Sequence, residues 1–225
     1  MISLRNNRFV ELFLDALYPR HCTCPTCGRE AALGEYGVCD DCRDSIATPA
    51  TLENIEGIEA ITAGFIYKDC IKQSIVDFKY NGKRYLADFL ASQMHIDDTW
   101  AIDVIVPVPL HKRRIVQRGF NQSELLARRL SKRYSIDLDT GILKRIVYTK
   151  PQASLGARER GHNLDGAFVA KDSCKGKNIL LVDDVFTTGA TLRNCAIALN
   201  AAGASKTYAA VIATTVMNTT AHMYH

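Results

Sequence analysis

No stretch of this 225-residue sequence reaches the ~20 consecutive apolar residues that a membrane-spanning helix requires. Near the N-terminus, Phe9, Val10, Leu12, Phe13, Leu14 and Leu17 are apolar, but Glu11 and Asp15 interrupt them, so the continuous apolar segment of a signal peptide is missing too. Neither an internal repeat nor a low-complexity tract is visible, which argues against a solenoid or a linker-like chain. The expected setting is therefore the cytoplasm, without membrane insertion, where thiols stay reduced and a dense cysteine cluster favours metal over disulfide. A hydrophobic fraction of 47% can fill a core, so disorder is excluded; the length suits one α/β domain with a small appendage.

The formal charge of +4 hides an uneven distribution. Residues 1–60 carry 5 Lys or Arg against 10 Asp or Glu, whereas residues 103–160 carry 13 against 5. A basic middle behind an acidic head suits an anionic partner, either a phosphorylated small molecule or a nucleic-acid backbone, although solvated helix faces explain part of the excess.

Five of the eight cysteines fall between positions 22 and 42. Four of them read Cys24-Pro-Thr-Cys27 and Cys39-Asp-Asp-Cys42, with eleven residues between the pairs. Each Cys-x-x-Cys can fold into a knuckle that presents two thiolates to one ion, and Gly28 suits the turn after the first pair. A zinc ion held by Cys24, Cys27, Cys39 and Cys42 has a closed tetrahedral shell, so its expected role is structural. Cys22 could replace Cys24 if the first knuckle rearranged, and His21 is a weaker competitor. A redox pair is disfavoured because neither motif sits at a strand-to-helix junction. Cys70, Cys174 and Cys195 read as ordinary buried or spare cysteines.

Beyond Pro49 the pattern alternates between strand-like and helix-like stretches. Ala60 to Tyr67 reads as a half-buried strand, followed by two helices marked by Ile71, Ile75, Phe78 and by Leu86, Phe89, Leu90, with Asn81-Gly82 as the breaker. Ile102 to Val108, Ile179 to Val182 and the run around Val211 and Ile212 are β-branched without polar alternation, as in strands buried on both faces of a parallel sheet. Between them lie helical patterns, one capped by Asn121 with Glu124 three residues on, another marked by Leu192, Cys195, Ala196 and Leu199. The expected architecture is an α/β fold, a parallel sheet flanked by helices, behind a small N-terminal zinc-binding module with four cysteine ligands. The expected domains are 1–50, an N-terminal helix with the zinc module, and 51–225; the boundary falls near Ser45 to Thr51.

The most informative string runs from Ile179 through Asp183, Asp184, Thr187, Thr188, Gly189, Ala190 and Thr191 to Leu192. An apolar strand ends in paired carboxylates, and a small-residue turn then opens a helix. Backbone N–H groups, threonine hydroxyls and the positive end of a helix suit a phosphate monoester, and Gly189 permits close approach. Two adjacent carboxylates beside a phosphate seat need hydroxyls or a cation, which a ribose diol and magnesium supply. The plainer alternative is an exposed acidic strand end with a routine helix cap.

This string resembles the signature of the type I phosphoribosyltransferases. Two further segments resemble the ComF family within that fold: Pro107-Val-Pro109 with Arg113, Arg114 and Arg118-Gly-Phe-Asn121-Gln122, and Gln152 through Arg158 and Arg160 to Asn163 and Phe168, together with the cysteine knuckles. The resemblance implies that Thr187, Thr188, Gly189, Ala190 and Thr191 hold the 5′-phosphate of phosphoribosyl pyrophosphate (PRPP), while Asp183 and Asp184 meet the ribose hydroxyls. It implies further that Lys112, Arg113 and Arg114 receive the pyrophosphate with magnesium, and that Arg158 and Arg160 belong to a lid. The acceptor is not identified by any residue.

Two functions are compatible with these residues. One is a phosphoribosyl-transferring enzyme with Asp183, Asp184 and Arg158 in its catalytic machinery, acting in competence, natural transformation or nucleotide salvage. The other is a non-catalytic competence factor that holds single-stranded DNA and senses PRPP or a nucleotide, with competence proteins as partners. For the second, Arg128, Arg129, Lys132 and Arg133 on the helix from Asn121 to Tyr134 could face nucleic acid or solvent, and Phe120 and Tyr134 could stack on bases or pack in the core.

Overall fold

In the computed structural model, which describes residues 23–49, 52, 55–147 and 166–215, the β-branched runs become a five-stranded, wholly parallel sheet. The chain divides into two compact units, Met1–Ser45 and Ile46–His225. The expected N-terminal helix, His21 and Cys22 lie outside the described residues.

The first unit is built from two turns. An antiparallel bridge between Thr23 and Glu30 closes a hairpin whose tip carries Cys24 and Cys27; Gly28, at φ +75°, donates its N–H to the Cys24 carbonyl at 2.8 Å. A single 3-10 turn over Glu35–Gly37 then leads into the short helix α1, Asp40–Asp44, with Cys39 as its N-cap and Cys42 buried on its inner side.

In the second unit the strands are β1 (Ile61–Ile66), β2 (Val104–Pro107), β3 (Asp137–Leu138), β6 (Asn178–Phe186) and β7 (Lys206–Thr214), in the spatial order β1-β7-β6-β2-β3. The strands β4 (Leu143–Arg145) and β5 (Phe168–Ala170) form a separate antiparallel pair. Helices α2 (Asp69–Tyr80) and α3 (Leu86–Ser92) separate β1 from β2, as the Asn81-Gly82 breaker predicts. Helices α4 (Lys112–Arg118) and α5 (Gln122–Tyr134) lie between β2 and β3, and α6 (Ala190–Ala201) between β6 and β7. Ile105, Val106, Leu180, Leu181, Val182, Val211 and Ile212 are all buried, the condition of strands covered on both faces.

The connection after β2 runs outward to β3, whereas the connection after β6 runs the opposite way to β7. The strand order therefore reverses between β2 and β6, and ligands of open parallel sheets collect in the crevice at such a point. The register sharpens it: Pro107 pairs with Val182, and the Val108 N–H donates to the Val182 carbonyl at 2.9 Å, after which β2 turns away. On its other side β6 stays paired with β7 as far as Phe186 opposite Thr214. The strand is thus longer than its apolar run suggests. It carries Asp183 and Asp184 through a stretch hydrogen-bonded on one side and open on the other.

Candidate active site and metal centre

Side chains alternate along a strand. Asp183 follows Ile179 and Leu181, which pack in one core cluster with Leu192, Cys195 and Leu199 of α6. Asp184 follows Leu180 and Val182 on the opposite face. Each carboxylate has found its own partner. Ser123, in the first turn of α5, donates its hydroxyl to Asp183 Oδ1 at 2.9 Å, and the same oxygen accepts the Asp184 N–H at 2.9 Å. Asp184 Oδ1 lies 2.7 Å from Lys79 Nζ, and both side chains of that ion pair are about 15% exposed.

The N-terminus of α5 is tied by Asn121 to Val108, just past the end of β2. Its Oδ1 accepts the Ser123 N–H at 3.1 Å, and its Nδ2 donates to the Val108 carbonyl at 3.1 Å. The expected Asn121 cap is therefore present. Glu124, three residues on, does not reach back to close a capping box; it takes the Arg128 guanidinium at 2.6 Å.

Burial, followed by the negative charge of Asp184, pushes the Asp183 carboxyl up to about 7, against the lowering influence of the Asp184 N–H, Lys79 and Ser123. Burial works to lower the Lys79 ammonium, but the charges of Asp184 and Asp183 outweigh it and hold it above its usual range. The strand end is thus a half-compensated acidic pair: one carboxylate is countered by a buried lysine, and burial and its neighbour's charge work against ionisation of the other.

After Phe186 the chain makes the turn Thr187-Thr188-Gly189 and enters α6. Gly189 sits at φ +70°, and a Cβ there would come 2.6 Å from Ile55 Cδ1 and 2.9 Å from the Phe186 ring, so glycine is required by both backbone and space. Thr187 and Thr188 are exposed. A depression of about 30 Å³ is lined by Asp183, Phe186, Thr187, Thr188, Gly189 and Thr191, at the N-terminus of a twelve-residue helix. Backbone N–H groups, threonine hydroxyls and the positive end of the helix border this depression, groups of the kinds that suit an anion.

Of the expected cations, Arg114 is half-buried in the first turn of α4, whereas Lys112 and Arg113 are exposed. Arg114 joins Lys79, Tyr80, Gly82, Gln117 and Arg118 around a second cleft of about 260 Å³. Three further residues were not singled out by sequence: Lys79, Ser123 and Arg145. Burial and the nearby Arg114 charge push the Arg145 guanidinium below its usual range, and Asp183 is close enough to oppose them. Arg158 and Arg160 lie outside the described residues.

The residues considered for nucleic acid are largely engaged. Arg128 pairs with Glu124, Arg129 with Asp88 at 2.9 Å, and Arg133 donates to the Met94 carbonyl at 2.8 Å. Phe120 is buried against Phe78 at a centroid distance of 5.7 Å and serves the core, and half-buried Tyr134 accepts the Ile96 N–H at 3.2 Å through its hydroxyl. Among the described residues the large exposed aromatics are Tyr80 and Tyr85, at 64% and 63%, the first with the Arg118 guanidinium 4.6 Å above its ring.

In the first unit, one ligand atom from each of Cys24, Cys27, Cys39 and Cys42 lies within 4.8 Å of all the others. Sulfurs bound to one tetrahedral zinc at about 2.3 Å stand about 3.8 Å apart. Cys27 Sγ and Cys39 Sγ are 3.7 Å apart, which fits that ion. Burial raises the Cys24 thiol, but backbone N–H groups, led by that of Cys39 at 3.4 Å, and the Thr26 hydroxyl outweigh it and bring the thiol to about 6. Burial and then the neighbouring sulfurs raise Cys42. The four sulfurs are thus close enough to hold one metal ion.

Residues 84–222 match the model of the phosphoribosyl transferase domain family. The DNA utilization protein YhgH of Escherichia coli K12 is 30% identical over 209 residues, covering 81% of this chain and 92% of its own. The chain belongs to the ComF-type phosphoribosyl transferase family. Competence protein F of Haemophilus influenzae is 42% identical over 93 residues, 40% of this chain and 41% of its own, and competence protein ComFC of Bacillus subtilis is 31% identical over 179 residues, 75% and 68%. Among solved structures, the glutamine PRPP amidotransferase of B. subtilis matches with a TM-score of 0.40 at 18% identity, over 61% of this chain and 30% of that one. No described helix is long and apolar enough to cross a membrane.

Proposed function

We propose that this family member binds PRPP with magnesium at the strand end of β6 and transfers the phosphoribosyl group to a nitrogen nucleophile in the cytoplasm, in the service of competence and DNA uptake or of nucleotide salvage. The observation that carries the reading is the continuous seat from Asp183 to Thr191: a half-open acidic strand end running directly into a glycine-turned loop at a helix N-terminus.

In this reading the N–H groups and hydroxyls of Thr187 through Thr191 hold the 5′-phosphate, and Asp183 and Asp184 accept hydrogen bonds from the ribose 2′ and 3′ hydroxyls. The carboxylates offer the hard oxygens that magnesium takes. Because Asp184 already faces Lys79, the ion suits arrival on the ligand's diphosphate better than a cage made by the protein. When bound, magnesium supplies charge neutralisation on the departing diphosphate. Lys112, Arg113 and Arg114 add positive charge on the same side, and Arg158 belongs to a lid that excludes water. In the transfer itself, the bond between ribose C1 and the diphosphate oxygen breaks with its electron pair leaving on diphosphate. A C1–N bond forms, and the nitrogen releases a proton to solvent.

The four cysteines hold a structural zinc ion whose closed thiolate shell leaves no position for substrate. Residues 1–50 serve as that module and 51–225 as the transferase-like domain. The test is turnover: pyrophosphate release that requires both magnesium and a base from a panel of purines and pyrimidines supports transfer, and ligand binding without release from any of them refutes it.

A second reading, a non-catalytic factor that holds single-stranded DNA while its pocket senses PRPP or a nucleotide, draws on the relatives named for DNA utilization and competence. Exposed Tyr80 beside Arg114 and Arg118 in one cleft favours it, since bases stack on aromatics while cations follow the phosphates.

A further inference from the structure

Two hollows of the second unit are linked through the acidic pair. The small depression begins at Asp183 and runs along the Thr-Gly loop. The larger cleft begins at Lys79 and runs past Tyr80 to Arg114 and Arg118. The acidic pair stands between them, because Lys79, a wall of the larger cleft, is also the counter-ion of Asp184 at 2.7 Å. Phosphate seat, acidic pair and cationic cleft therefore follow one another in the order of the groups in PRPP: 5′-phosphate, ribose diol, 1-diphosphate.

Lys79 is positioned for this by the packing of its helix. Ile71, Ile75 and Phe78 anchor α2 in the core, and the turn after Tyr80 is tied back through Asp77. That carboxylate accepts from Asn81 Nδ2 at 2.7 Å, Gln73 Nε2 at 3.0 Å and Lys83 Nζ at 2.8 Å. The last turn of α2 cannot swing away freely, so the Lys79 head group can exchange partners only within reach of its own four-carbon stem. On one side stands Asp184; on the other opens the cleft it shares with Arg114 and Arg118.

We propose that Lys79 is a shared cation: it neutralises Asp184 in the unliganded protein and moves to the diphosphate of the ligand as the ribose hydroxyls take over Asp184. This rests on the PRPP reading above and deepens it, because it makes the site selective for a ribose phosphate that bears an anionic group at C1. A ligand without that group would release Asp184 from its buried partner and give the ammonium nothing in return, which is unfavourable for a charge about 15% exposed. A diphosphate returns a charge-assisted partner at once.

The test compares PRPP with ribose 5-phosphate, which keeps the 5′-phosphate and diol and lacks the diphosphate. Affinities for both, with magnesium, are measured by calorimetry on the wild type and on Lys79→Gln. The proposal expects PRPP affinity to fall at least about tenfold in the variant, the loss that accompanies one charged hydrogen bond, while ribose 5-phosphate changes by less than about threefold or tightens. Equal loss of both ligands would overturn it, since Lys79 would then act only through the shape of the pocket. Equal tightening would overturn it too, by making Lys79 a mere blocker of Asp184, as would no change in either. A wild type that binds neither ligand would refute the PRPP reading itself, a separate result. If Lys79→Gln does not fold, Lys79→Arg keeps the charge: retained preference for PRPP over ribose 5-phosphate supports the shared cation, and loss of that preference overturns it.

Discussion

Replacing Asp183 by Asn should stabilise the unliganded protein at high pH while destroying its ligand site. The Asp183 carboxyl is pushed from 3.8 up to about 7 by burial and by Asp184. A folded-state value above the unfolded one means that the folded chain holds this proton more tightly. Its contribution to stability is therefore full below about pH 4 and is lost as pH rises through about 7. At about 1.4 kcal/mol per pH unit, the full shift corresponds to about 4 kcal/mol of strain at pH 8.5. Relaxation, water entry and the lost attraction to Lys79 reduce what a substitution recovers to about 2 kcal/mol. An Asn oxygen can still accept the hydrogen bonds that Ser123 and the Asp184 N–H give to Oδ1, so those two donors keep their acceptor. For a domain of this size the gain is about 4–8 °C in melting temperature. Thermal unfolding of both proteins at pH 8.5 and pH 5, without ligand, checks it. The advantage of Asp183→Asn should be present at pH 8.5 and shrink at pH 5. An equal or lower melting temperature at pH 8.5 would refute the claim that this carboxylate is held charged at a cost.

Three further outcomes follow from the same geometry. Chelation should unfold residues 23–45 while the sheet survives, because structural zinc contributes on the order of 10 kcal/mol to such a module; hydrogen exchange should show fast amides there and protected ones in β6 and β7. Gly189→Ala forces a left-handed non-glycine residue at a cost of about 1–3 kcal/mol and crowds Phe186 and Ile55, so the melting temperature should fall by several degrees and ribose 5-phosphate binding should weaken more than tenfold. If single-stranded DNA binds, replacing Arg128, Arg129, Lys132 and Arg133 by Gln should leave the salt slope nearly unchanged, since three of these are engaged within the fold. Replacing the exposed Lys112 and Arg113 should reduce it by about 1.5, measured by fluorescence titration over a range of salt.

The frame of the fold was legible because strands buried on both faces must be continuously apolar, as at Val104–Pro107 and Ile179 to Val182. The Asn121 cap was legible for a local reason as well: its side chain serves the backbone two residues on. The reach of β6 beyond Val182 was not, because two aspartates break the apolar run and only the register with β7 keeps them in the strand. The two Cys-x-x-Cys knuckles stood out because metal ligation fixes spacing within a few residues. Lys79, Ser123 and Arg145 carried no such signal. Each becomes a site residue only when the reversal of strand order brings α2, α5 and β4 to the end of β6, and a lysine in the last turn of an amphipathic helix reads as a solvated charge until then. Conversely, the cations of α5 were conspicuous in sequence, and three of the four, Arg128, Arg129 and Arg133, turned out to be engaged with Glu124, Asp88 and a backbone carbonyl.

Calorimetric titration of the zinc-loaded protein with PRPP, with and without magnesium, beside the double variant Asp183→Asn/Asp184→Asn, tests the central claim most directly. Magnesium-dependent binding by the wild type that disappears in a folded double variant is the predicted result. Absence of binding by a well-folded wild type, or undiminished affinity in the variant, would contradict it.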